Sequence, residues 1–484
     1  MRRAARYHEP VDRRSWILLT FLALFVSLAF QGTRGLYDPS EGRYAEVARE
    51  MRASGNYLEP ALAHHPHWTK PPLTYWTIAA GLAVAGDNTW GVRAFNAMAF
   101  VITTLAVAAI ATTLWGSPTG LFAGLIYLSS LLPVVGSNVA TADTLLTMWT
   151  TLALLAYVRA RTRWMWLMFG MAFFTKGPPA LLPLLAIVVF HIAARRRSRL
   201  LDSGGIVLFV VSGFWWYGLM VFRHHELLGY FVGKEIVARN TTGAFHRNGH
   251  WYGAWVVYAP VLLLGSGLWI VDALHAVRKR WRPVIVRGST SSLLFLWIVI
   301  PLALFALSRS RLPLYLLPLH AAVAIATARG LSLNHANERG VLRRAMLSIV
   351  LLVVLKGAFL FIPSEQDATR LYREARSSAG TGARLALYAE SSMYGFQFYA
   401  GDDLARLSRS GTEWWADGNL ATALTSHDHP LAILTNKGHS AELETALRAT
   451  RVSFTRANAG NQDMFVIGAP ERRLNDGALA RAFK

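Results

Sequence analysis

Acidic residues that could act in catalysis occur near the start of residues 37–75, a polar, charge-dense stretch between two apolar segments. Asp38 and Glu41 stand three residues apart near a predicted helix start. Carboxylates at this spacing could serve as a general base and a substrate-orienting group. A carboxylate at a helix start could equally be a cap, so the catalytic and the structural interpretations both stay open.

Three lysine or aspartate positions suggest an anion site. Lys70 precedes a double proline, whose stiff, non-helical backbone suits a lysine that binds a phosphate as a point charge. Lys176 ends an apolar segment and could make a second phosphate contact, and Asp143 could pair with such a cation or orient it. Interfacial or anchoring lysines and a helix-start carboxylate are the structural alternatives.

Two further sets of residues are candidates for binding. The basic loop 223–250, with Arg309 and Arg311, could form a cationic rim that suits a diphosphate or phosphosugar head group, or it could be a solvated loop. His64, His65 and His67 are the candidates for a divalent metal such as zinc. No neighbouring ligand pattern supports the histidines, so no metal is assigned.

The composition places these residues in a membrane protein. Of the 484 residues 53% are hydrophobic and 16% are charged, and the mean hydropathy is +0.31. Soluble domains have about a quarter of charged residues. A net charge of +21 could indicate nucleic-acid binding, but the basic residues fall in short clusters between apolar runs and no recognition module occurs. Without cysteine, disulfides and cysteine–metal sites are excluded.

Eleven apolar segments are candidate membrane spans, several of them shorter than the roughly 20 residues that cross a bilayer. The first one is interpreted as an uncleaved signal anchor, because no small-residue cleavage site follows it. The segments are residues 16–30, 91–115, 119–136, 142–158, 164–174, 178–194, 205–222, 255–276, 291–307, 312–328 and 345–362.

The positive-inside rule orients these segments with the N-terminus in the cytoplasm. Arginine and lysine then collect in the cytoplasmic loops, which are residues 1–14, 159–163, 195–199, 278–287 and 329–344. The other side receives residues 37–75, 138–143, 175–179, 223–250, 308–311 and everything after 363. The isolated ionisable groups therefore share one extracytoplasmic face with the acidic loop.

Local patterns predict the elements that position these groups. Apolar residues at helical spacing predict an amphipathic surface helix over residues 41–54, which Gly55 ends, and a short interfacial or re-entrant segment over 73–84. After residue 364 the composition changes to β-like runs at 385–388, 396–400, 431–435, 452–455 and 464–467, with a helix at 440–448. The prediction is a transmembrane domain of residues 1–363, with an extracytoplasmic loop at 31–90, and a soluble α/β domain of residues 364–484.

Five motifs in order resemble one family. They are DPSEGRYAEVAREM from residue 38, WTKPPLTYW from 68, TADTLLTMWTTLAL from 141, FFTKGPPALLPL from 173 and SRSRLPLYLLP from 308. Over roughly residues 15–330 the chain resembles the GT-C fold polyprenyl-phosphate-sugar-dependent glycosyltransferases. The aminoarabinose transferases that modify lipid A are the nearer branch and the protein O-mannosyltransferases the more distant one.

The resemblance implies a polytopic α-helical membrane protein of the GT-C type, with about 11–13 transmembrane helices and a small extracytoplasmic α/β domain. It implies sugar transfer from a polyprenyl phosphate to an acceptor on the extracytoplasmic face of the bacterial inner membrane. Asp38 or Glu41 takes the catalytic position, and Asp143 the second acidic one. The implied ligands of the donor phosphate are Arg43, Lys70, Lys176, Arg247, Arg309, Arg311 and Tyr315.

The acceptor stays open between lipid A, another envelope glycan and a protein hydroxyl. A transporter or flippase is the alternative of another class, although transporters usually carry repeated halves and ionisable groups at mid-membrane. A membrane scaffold whose outer domain binds a partner is a third alternative. The expected partners are the lipid-linked donor, one of these acceptors and the bilayer, and no nucleic acid.

Overall fold

The computed structural model describes residues 11–468, apart from residues 195–199, 244, 246, 281–288, 381, 414 and 426–428. The basic residues predicted for the cytoplasmic loops at 1–10, 195–199 and 281–288 therefore lie outside the described part. The chain divides into two compact units. The first comprises residues 1–31, 68–77 and 93–358, and the second comprises residues 32–67, 78–92 and 359–484.

Each of the eleven predicted spans overlaps a helix, so the polytopic helical fold is confirmed. The first eight helices of this series are Arg13–Leu28, Thr89–Trp115, Ser117–Leu128, Leu131–Ser137, Ala142–Val158, Thr162–Lys176, Leu181–Ala193 and Ser203–Arg223. They are followed by Gly253–Leu264, Ile270–Arg280, Thr290–Leu307, Leu317–Leu333 and Glu338–Ala358. The loop after residue 223 forms short helical turns at Leu227–Gly229, Tyr230–Ala238 and Arg239–Thr241, the middle one a π-helix.

Length and hydropathy separate these helices into classes. Among the described residues, four helical segments could each cross a membrane: Thr89–Trp115, Ser203–Arg223, Thr290–Leu307 and Pro313–Leu333. Two bent pairs, Ser117–Leu128 with Leu131–Ser137 and Gly253–Leu264 with Gly267–Ala276, raise this number to six. The number of eleven to thirteen spans stays a prediction, because many of the remaining helices are too short to decide it.

Small residues let the helices of the first unit approach closely. A Cβ atom at Gly170 would lie 1.9 Å from the hydroxyl of Ser212, and one at Gly120 would lie 1.9 Å from the hydroxyl of Thr112. Such contacts are typical of membrane helices, which associate by close packing rather than by a hydrophobic effect. A buried Trp269 indole donates to the Ser129 hydroxyl at 2.9 Å, which satisfies the polar end of a large apolar side chain.

The second unit contains a six-stranded sheet. Its strands are β3 (Arg384–Tyr388), β4 (Ala405–Ser408), β5 (Gly418–Asn419), β6 (Leu431–Thr435), β7 (Phe454–Ala459) and β8 (Gln462–Ile467), after a small hairpin of β1 (Ala61–Leu62) and β2 (His65–Pro66). The strand order is β5-β4-β3-β6-β8-β7, with the first four parallel and the last two pairings antiparallel. The helices Ala368–Ala379, Tyr394–Ala400, Leu420–Thr425 and Lys437–Ala449 complete this region.

Three of the five predicted β-like runs coincide with strands, and the run 452–455 overlaps the first two residues of β7. The predicted helix 440–448 lies inside Lys437–Ala449. The run 396–400 was predicted as β and is wrong, because Tyr394–Ala400 is a helix. A short apolar run does not distinguish a strand from a buried helical turn. The Asp38 carboxylate accepts hydrogen bonds from the Gly395 and Phe396 amides at the start of this helix, and that long-range cap stabilises the helical choice.

The predicted loop helix is present as Ser40–Ser54, and the short segment after the double proline is the helix Leu73–Ala85. Gly55 ends the loop helix with a φ of +69°, a left-handed conformation that glycine adopts without strain. The loop residues 32–67 belong to the second unit together with the sheet region.

Gly55→Ala should destabilise the second unit by about 1 kcal/mol, because alanine is strained in the left-handed region. No atom lies within 4 Å of the Cβ position, so sterics would not contribute. Thermal unfolding in detergent measures the change. Gly418→Ala, which also has open space and no positive φ, is the matched control and should leave the melting temperature unchanged. Equal effects of the two substitutions would contradict the backbone explanation.

Candidate functional site

A cavity of about 430 Å³ lies in the first unit. The segment 68–71, the end of helix Thr162–Lys176, the helix Ser203–Arg223, the turns at 228–240 and the segment 305–315 form its walls. Most lining side chains are apolar or aromatic, and they include Trp68, Phe173, Phe214, Tyr217, Val221 and Phe231. The polar part of the lining includes Lys70, Lys176, Glu235 and Tyr315, so charged groups meet an apolar surface here.

Lys176 and Asp143 form an ion pair at the ends of two neighbouring helices. Asp143 lies in the first turn of Ala142–Val158, and Lys176 is the last residue of Thr162–Lys176. Only 8% of the Lys176 side chain and 9% of the Asp143 side chain are exposed. The Lys176 ammonium also lies 4.4 Å from the centre of the Tyr315 ring, a cation–π distance. The contacts with Asp143 and Tyr315 fix the position of this ammonium in the cavity wall.

Lys70 lies in a second charged group of the same cavity. Its ammonium is 3.5 Å from the Glu235 carboxylate, which also binds Arg239 at 2.6 Å. Burial raises the pKa of Glu235, but the charges of Lys70 and Arg239 outweigh it and hold the pKa below its usual range. Glu235 is therefore ionised at neutral pH and positions both cations.

The predicted rim residues have different environments. The Arg247 guanidinium donates to the Tyr315 hydroxyl at 3.3 Å, which connects it to the Lys176 site. Arg311 is buried, and its guanidinium donates to the carbonyls of Asn248, His250 and Ala306. Arg309 is exposed, and its backbone amide donates to the Asn240 carbonyl. Arg311 is thus engaged with the loop, whereas Arg309 presents its side chain to solvent.

The loop carboxylates belong to the second unit. Asp38 accepts from the Gly395 amide at 2.5 Å and from the Phe396 amide at 3.3 Å. Burial raises the pKa of Asp38 to about 7, against the lowering effect of these two hydrogen bonds. Glu41 is 1% exposed, pairs with Arg34 at 2.8 Å and accepts from the Tyr37 amide. Both carboxylates stabilise local structure in addition to any chemical role.

The remaining predicted residues are also in the second unit. Arg43 is half-buried in the loop helix, with its guanidinium 5.8 Å from the Tyr44 ring centre. His64 donates its backbone amide to Glu50, and His65 begins β2. Within the described residues, no three histidine, aspartate or glutamate side chains converge as a metal site, so the three loop histidines are not brought together as one.

Sequence reasoning included Arg239 in the basic loop but missed its partner Glu235. The spacing of four residues between them is the pattern of a helical ion pair, which is the signal that could have indicated Glu235. The aromatic wall was also missed, because its members come from several helices and have no motif in common.

Asp143→Asn should destabilise the first unit by about 3 kcal/mol or more, because it leaves a buried ammonium without its carboxylate. The double variant Asp143→Asn with Lys176→Met removes both charges and should recover part of that loss. Thermal unfolding in detergent of the single and double variants measures the coupling between the two sites. Additive effects would show that the two side chains do not stabilise each other.

The stability of the second unit should fall as the pH rises from about 4 to 7. The folded pKa of Asp38 lies above its ordinary value of 3.8, so the folded state binds the extra proton in this interval and loses that advantage at higher pH. Asp38→Asn should reduce the slope by up to about 1.4 kcal/mol per pH unit. The free energy of unfolding, measured at a series of pH values, gives this slope, and Asp403→Asn at an exposed position is the control. An unchanged slope in Asp38→Asn would refute the raised pKa.

Comparison with known proteins agrees with the motif resemblance. Residues 69–217 match the family of dolichyl-phosphate-mannose-protein mannosyltransferases. An undecaprenyl phosphate-α-4-amino-4-deoxy-L-arabinose arabinosyl transferase of Pseudomonas fluorescens is 30% identical over 364 residues, which cover 72% of this chain and 61% of that protein. The corresponding enzyme of Edwardsiella ictaluri is 31% identical over 358 residues, which cover 71% of this chain and 64% of that protein.

The same fold occurs in a solved structure. The crystal structure of ArnT from Cupriavidus metallidurans bound to undecaprenyl phosphate is similar with a TM-score of 0.79 and 20% identity, over 94% of this chain and 98% of that chain. Its apo state has a TM-score of 0.75. The chain spans about three-fifths of the length of the curated relatives that it matches. The protein is a multi-pass membrane protein with the GT-C fold and a relative, in sequence, of the polyprenyl-phosphate-sugar-dependent glycosyltransferases.

Proposed function

We propose that the chain transfers a sugar from a polyprenyl-phosphate donor to an acceptor of the cell envelope. The observation that carries the proposal is the cavity of the first unit, where Lys70 and Lys176 lie in a wall whose side chains are mostly apolar or aromatic. A polyprenyl phosphate combines the two matching properties, an anionic head and a hydrocarbon chain. The relatives' names include an undecaprenyl phosphate donor, and the similar solved structure contains undecaprenyl phosphate.

The cations of the cavity match the chemistry of the leaving group. During transfer the bond between the sugar's anomeric carbon and the phosphate oxygen breaks, and the polyprenyl phosphate departs with the electron pair. A bond forms between the anomeric carbon and an acceptor oxygen. Positive charges fixed where negative charge develops stabilise the transition state, and burial strengthens their effect. Lys176 is held by Asp143, and Lys70 by Glu235, so neither ammonium has to be ordered during the reaction.

A hydroxyl acceptor also has a proton to lose. The candidate bases are Asp38, Glu41 and Asp143. Asp143 is the counter-ion of Lys176, and Glu41 is the counter-ion of Arg34. A pKa of about 7 suits Asp38 to accept a proton at neutral pH, since a general base is most effective when its pKa lies near the working pH. A phosphate acceptor, already anionic, would need orientation rather than a base.

We propose lipid A or another envelope glycan as the acceptor, which the motif resemblance supports. A protein hydroxyl is the alternative, since the name of the matching family includes a protein acceptor. We further propose that the protein lies in the bacterial inner membrane, with its N-terminus in the cytoplasm and its site on the extracytoplasmic face. The arrangement of basic loops in the sequence supports this orientation, because positively charged loops are retained on the cytoplasmic side.

Lys176→Ala and Lys70→Ala should each lower the rate of sugar transfer by roughly 100-fold, because each removes a charge from the leaving phosphate. The measurement is transfer from a radiolabelled polyprenyl-phosphate sugar to lipid A by the purified protein in lipid nanodiscs. Lys70→Arg should retain more activity than Lys70→Ala.

Lys437→Ala removes an exposed lysine from a helix of the second unit and is the matched control, with an expected rate equal to that of the unchanged protein. Donor movement across the bilayer without any transfer product would support a flippase and refute the proposal. Full transfer by both lysine variants would refute the assignment of the cavity to the donor phosphate.

A further inference from the structure

An open pocket of about 660 Å³ lies in the first unit, apart from the cavity that contains Lys70 and Lys176. We call it the Arg161 pocket. Residues 160–164, where one helix ends and the next begins, form one wall, and residues 201–202 form the other. Its lining combines two arginines with exposed apolar side chains, and the donor chemistry proposed above does not use it.

The Arg161 pocket lies at the opposite end of two helices from the donor cavity. Helix Ala142–Val158 starts next to Asp143, helix Thr162–Lys176 ends at Lys176, and residues 159–161 connect the two helices. A helix of 15 residues is about 22 Å long, so the pocket is about that far from Lys176. A ligand in this pocket would therefore occupy a site distinct from that of the leaving phosphate.

Hydrogen bonds hold the two walls of the pocket in place. The Arg161 amide donates to the Ala156 carbonyl at 2.8 Å, which closes the turn between the two helices. The Trp166 indole donates to the Leu200 carbonyl at 2.8 Å and so ties the first wall to the second. The shape of the pocket is thus set by the protein itself, as is usual for ligand sites.

The charges of the pocket favour an anion. Asp202, the acidic residue of the lining, already accepts a hydrogen bond from the Arg163 guanidinium at 3.1 Å, so its charge is balanced. The Arg161 side chain is exposed, and within the described part of the chain its guanidinium forms no hydrogen bond or ion pair. A guanidinium binds phosphate oxygens bidentately, so Arg161 can receive a phosphate group.

The apolar part of the lining favours a lipid over a soluble anion. Trp164 is 55% exposed and Leu201 is 83% exposed, and both line the pocket beside the arginines. A small soluble anion would leave these two side chains in water, whereas the hydrocarbon of a lipid would cover them. Val207 and Val211, further along helix Ser203–Arg223, are also exposed, so the apolar surface continues from the pocket along this helix.

We infer that the Arg161 pocket binds the head group of an anionic phospholipid. Arg161 and Arg163 would bind the phosphodiester, and Trp164 and Leu201 would contact the glycerol esters and the start of the acyl chains. Arginine beside tryptophan at the end of an apolar helix is the combination typical of a membrane interface. Basic pockets between membrane helices are known to bind lipid head groups on the cytoplasmic side.

The lipid would come from the cytoplasmic leaflet, and this part of the inference rests on the orientation proposed above. It does not rest on sugar transfer. A bound lipid would hold together the ends of the two helices whose other ends carry Asp143 and Lys176, so it should stabilise the folded protein. A free phosphate ester shares the chemistry of the head group, so the test separates the two sources.

Thermal unfolding of the full chain in neutral detergent micelles tests the inference. Three probes are titrated: phosphatidylglycerol, phosphatidylcholine with the same acyl chains, and glycerol 3-phosphate. Phosphatidylglycerol alone should raise the melting temperature, and the concentration dependence gives an apparent Kd. Arg161→Gln should raise this Kd about fivefold, which is the typical effect of one arginine near an anionic membrane surface. Trp164→Ala should raise it as well, because it removes the apolar contact.

Arg343→Gln is the matched control, since it removes an exposed arginine from the helix Glu338–Ala358 and should leave the Kd unchanged. An equal Kd for Arg161→Gln and the unchanged protein would overturn the inference. So would an equal rise in Kd for Arg343→Gln, because only the total charge would then matter. An equal rise in melting temperature with glycerol 3-phosphate would refute the lipid head group. The titration contains no sugar donor, so its result and that of the transfer assay are independent.

Discussion

The buried pairing of Lys176 with Asp143 is the interaction on which the cavity of the first unit depends. A lysine at the end of an apolar helix would normally extend toward water, and an ammonium in an apolar wall is costly without a counter-ion. Asp143 supplies that counter-ion from the start of the neighbouring helix, and Tyr315 covers the ammonium with its ring. The cavity can therefore keep a positive charge beside hydrocarbon-like side chains, which is the combination that a lipid phosphate requires.

Glu235 has the same effect on the other side of that cavity. Its carboxylate contacts both Lys70 and Arg239, and so it brings together two cations that lie far apart in the sequence. Glu235 lies in the π-helical turn Tyr230–Ala238. π-Helical turns are rare in proteins as a whole, and those that occur are often found at functional sites. The carboxylates of Glu235 and Asp143 thus fix the positions of the cations in the cavity wall.

In the second unit, acidic side chains fix the starts of helices. Asp38 caps the helix Tyr394–Ala400, and Asp367 caps the helix Ala368–Ala379, so each carboxylate fixes a helix start by accepting backbone amides. The Asp367 carboxylate also accepts a hydrogen bond from the Gly35 amide and so connects the loop to this helix. Residues of the loop after the first span and residues of the C-terminal region thereby form one compact unit, which carboxylates of the loop help to stabilise.

Much of this architecture is a local property of the sequence. Hydropathy alone located the eleven helical segments, because a buried or lipid-facing helix needs a continuous apolar run. Gly55 marked the end of the loop helix, because that end requires a residue in the left-handed conformation. Strands β3, β6 and β8 were recognisable from β-branched and apolar residues. The motifs around Lys70, Asp143 and Lys176 could likewise be found without coordinates, since their order along the chain is the signal.

Only the tertiary structure decided which of these groups meet. Lys176 and Asp143 are separated by 33 residues, and Asp38 and Gly395 by 357, so no local pattern could pair them. The helix Tyr394–Ala400, part of which was predicted as a strand, begins at two amides that donate to Asp38 from a distant part of the chain. Arg311 was a candidate for phosphate binding because of its charge and its place in a recognised motif, and only the tertiary structure shows that its guanidinium donates to backbone carbonyls of the loop. Hydropathy and residue type act within a segment, whereas ion pairs, caps and cavities depend on contacts between distant segments.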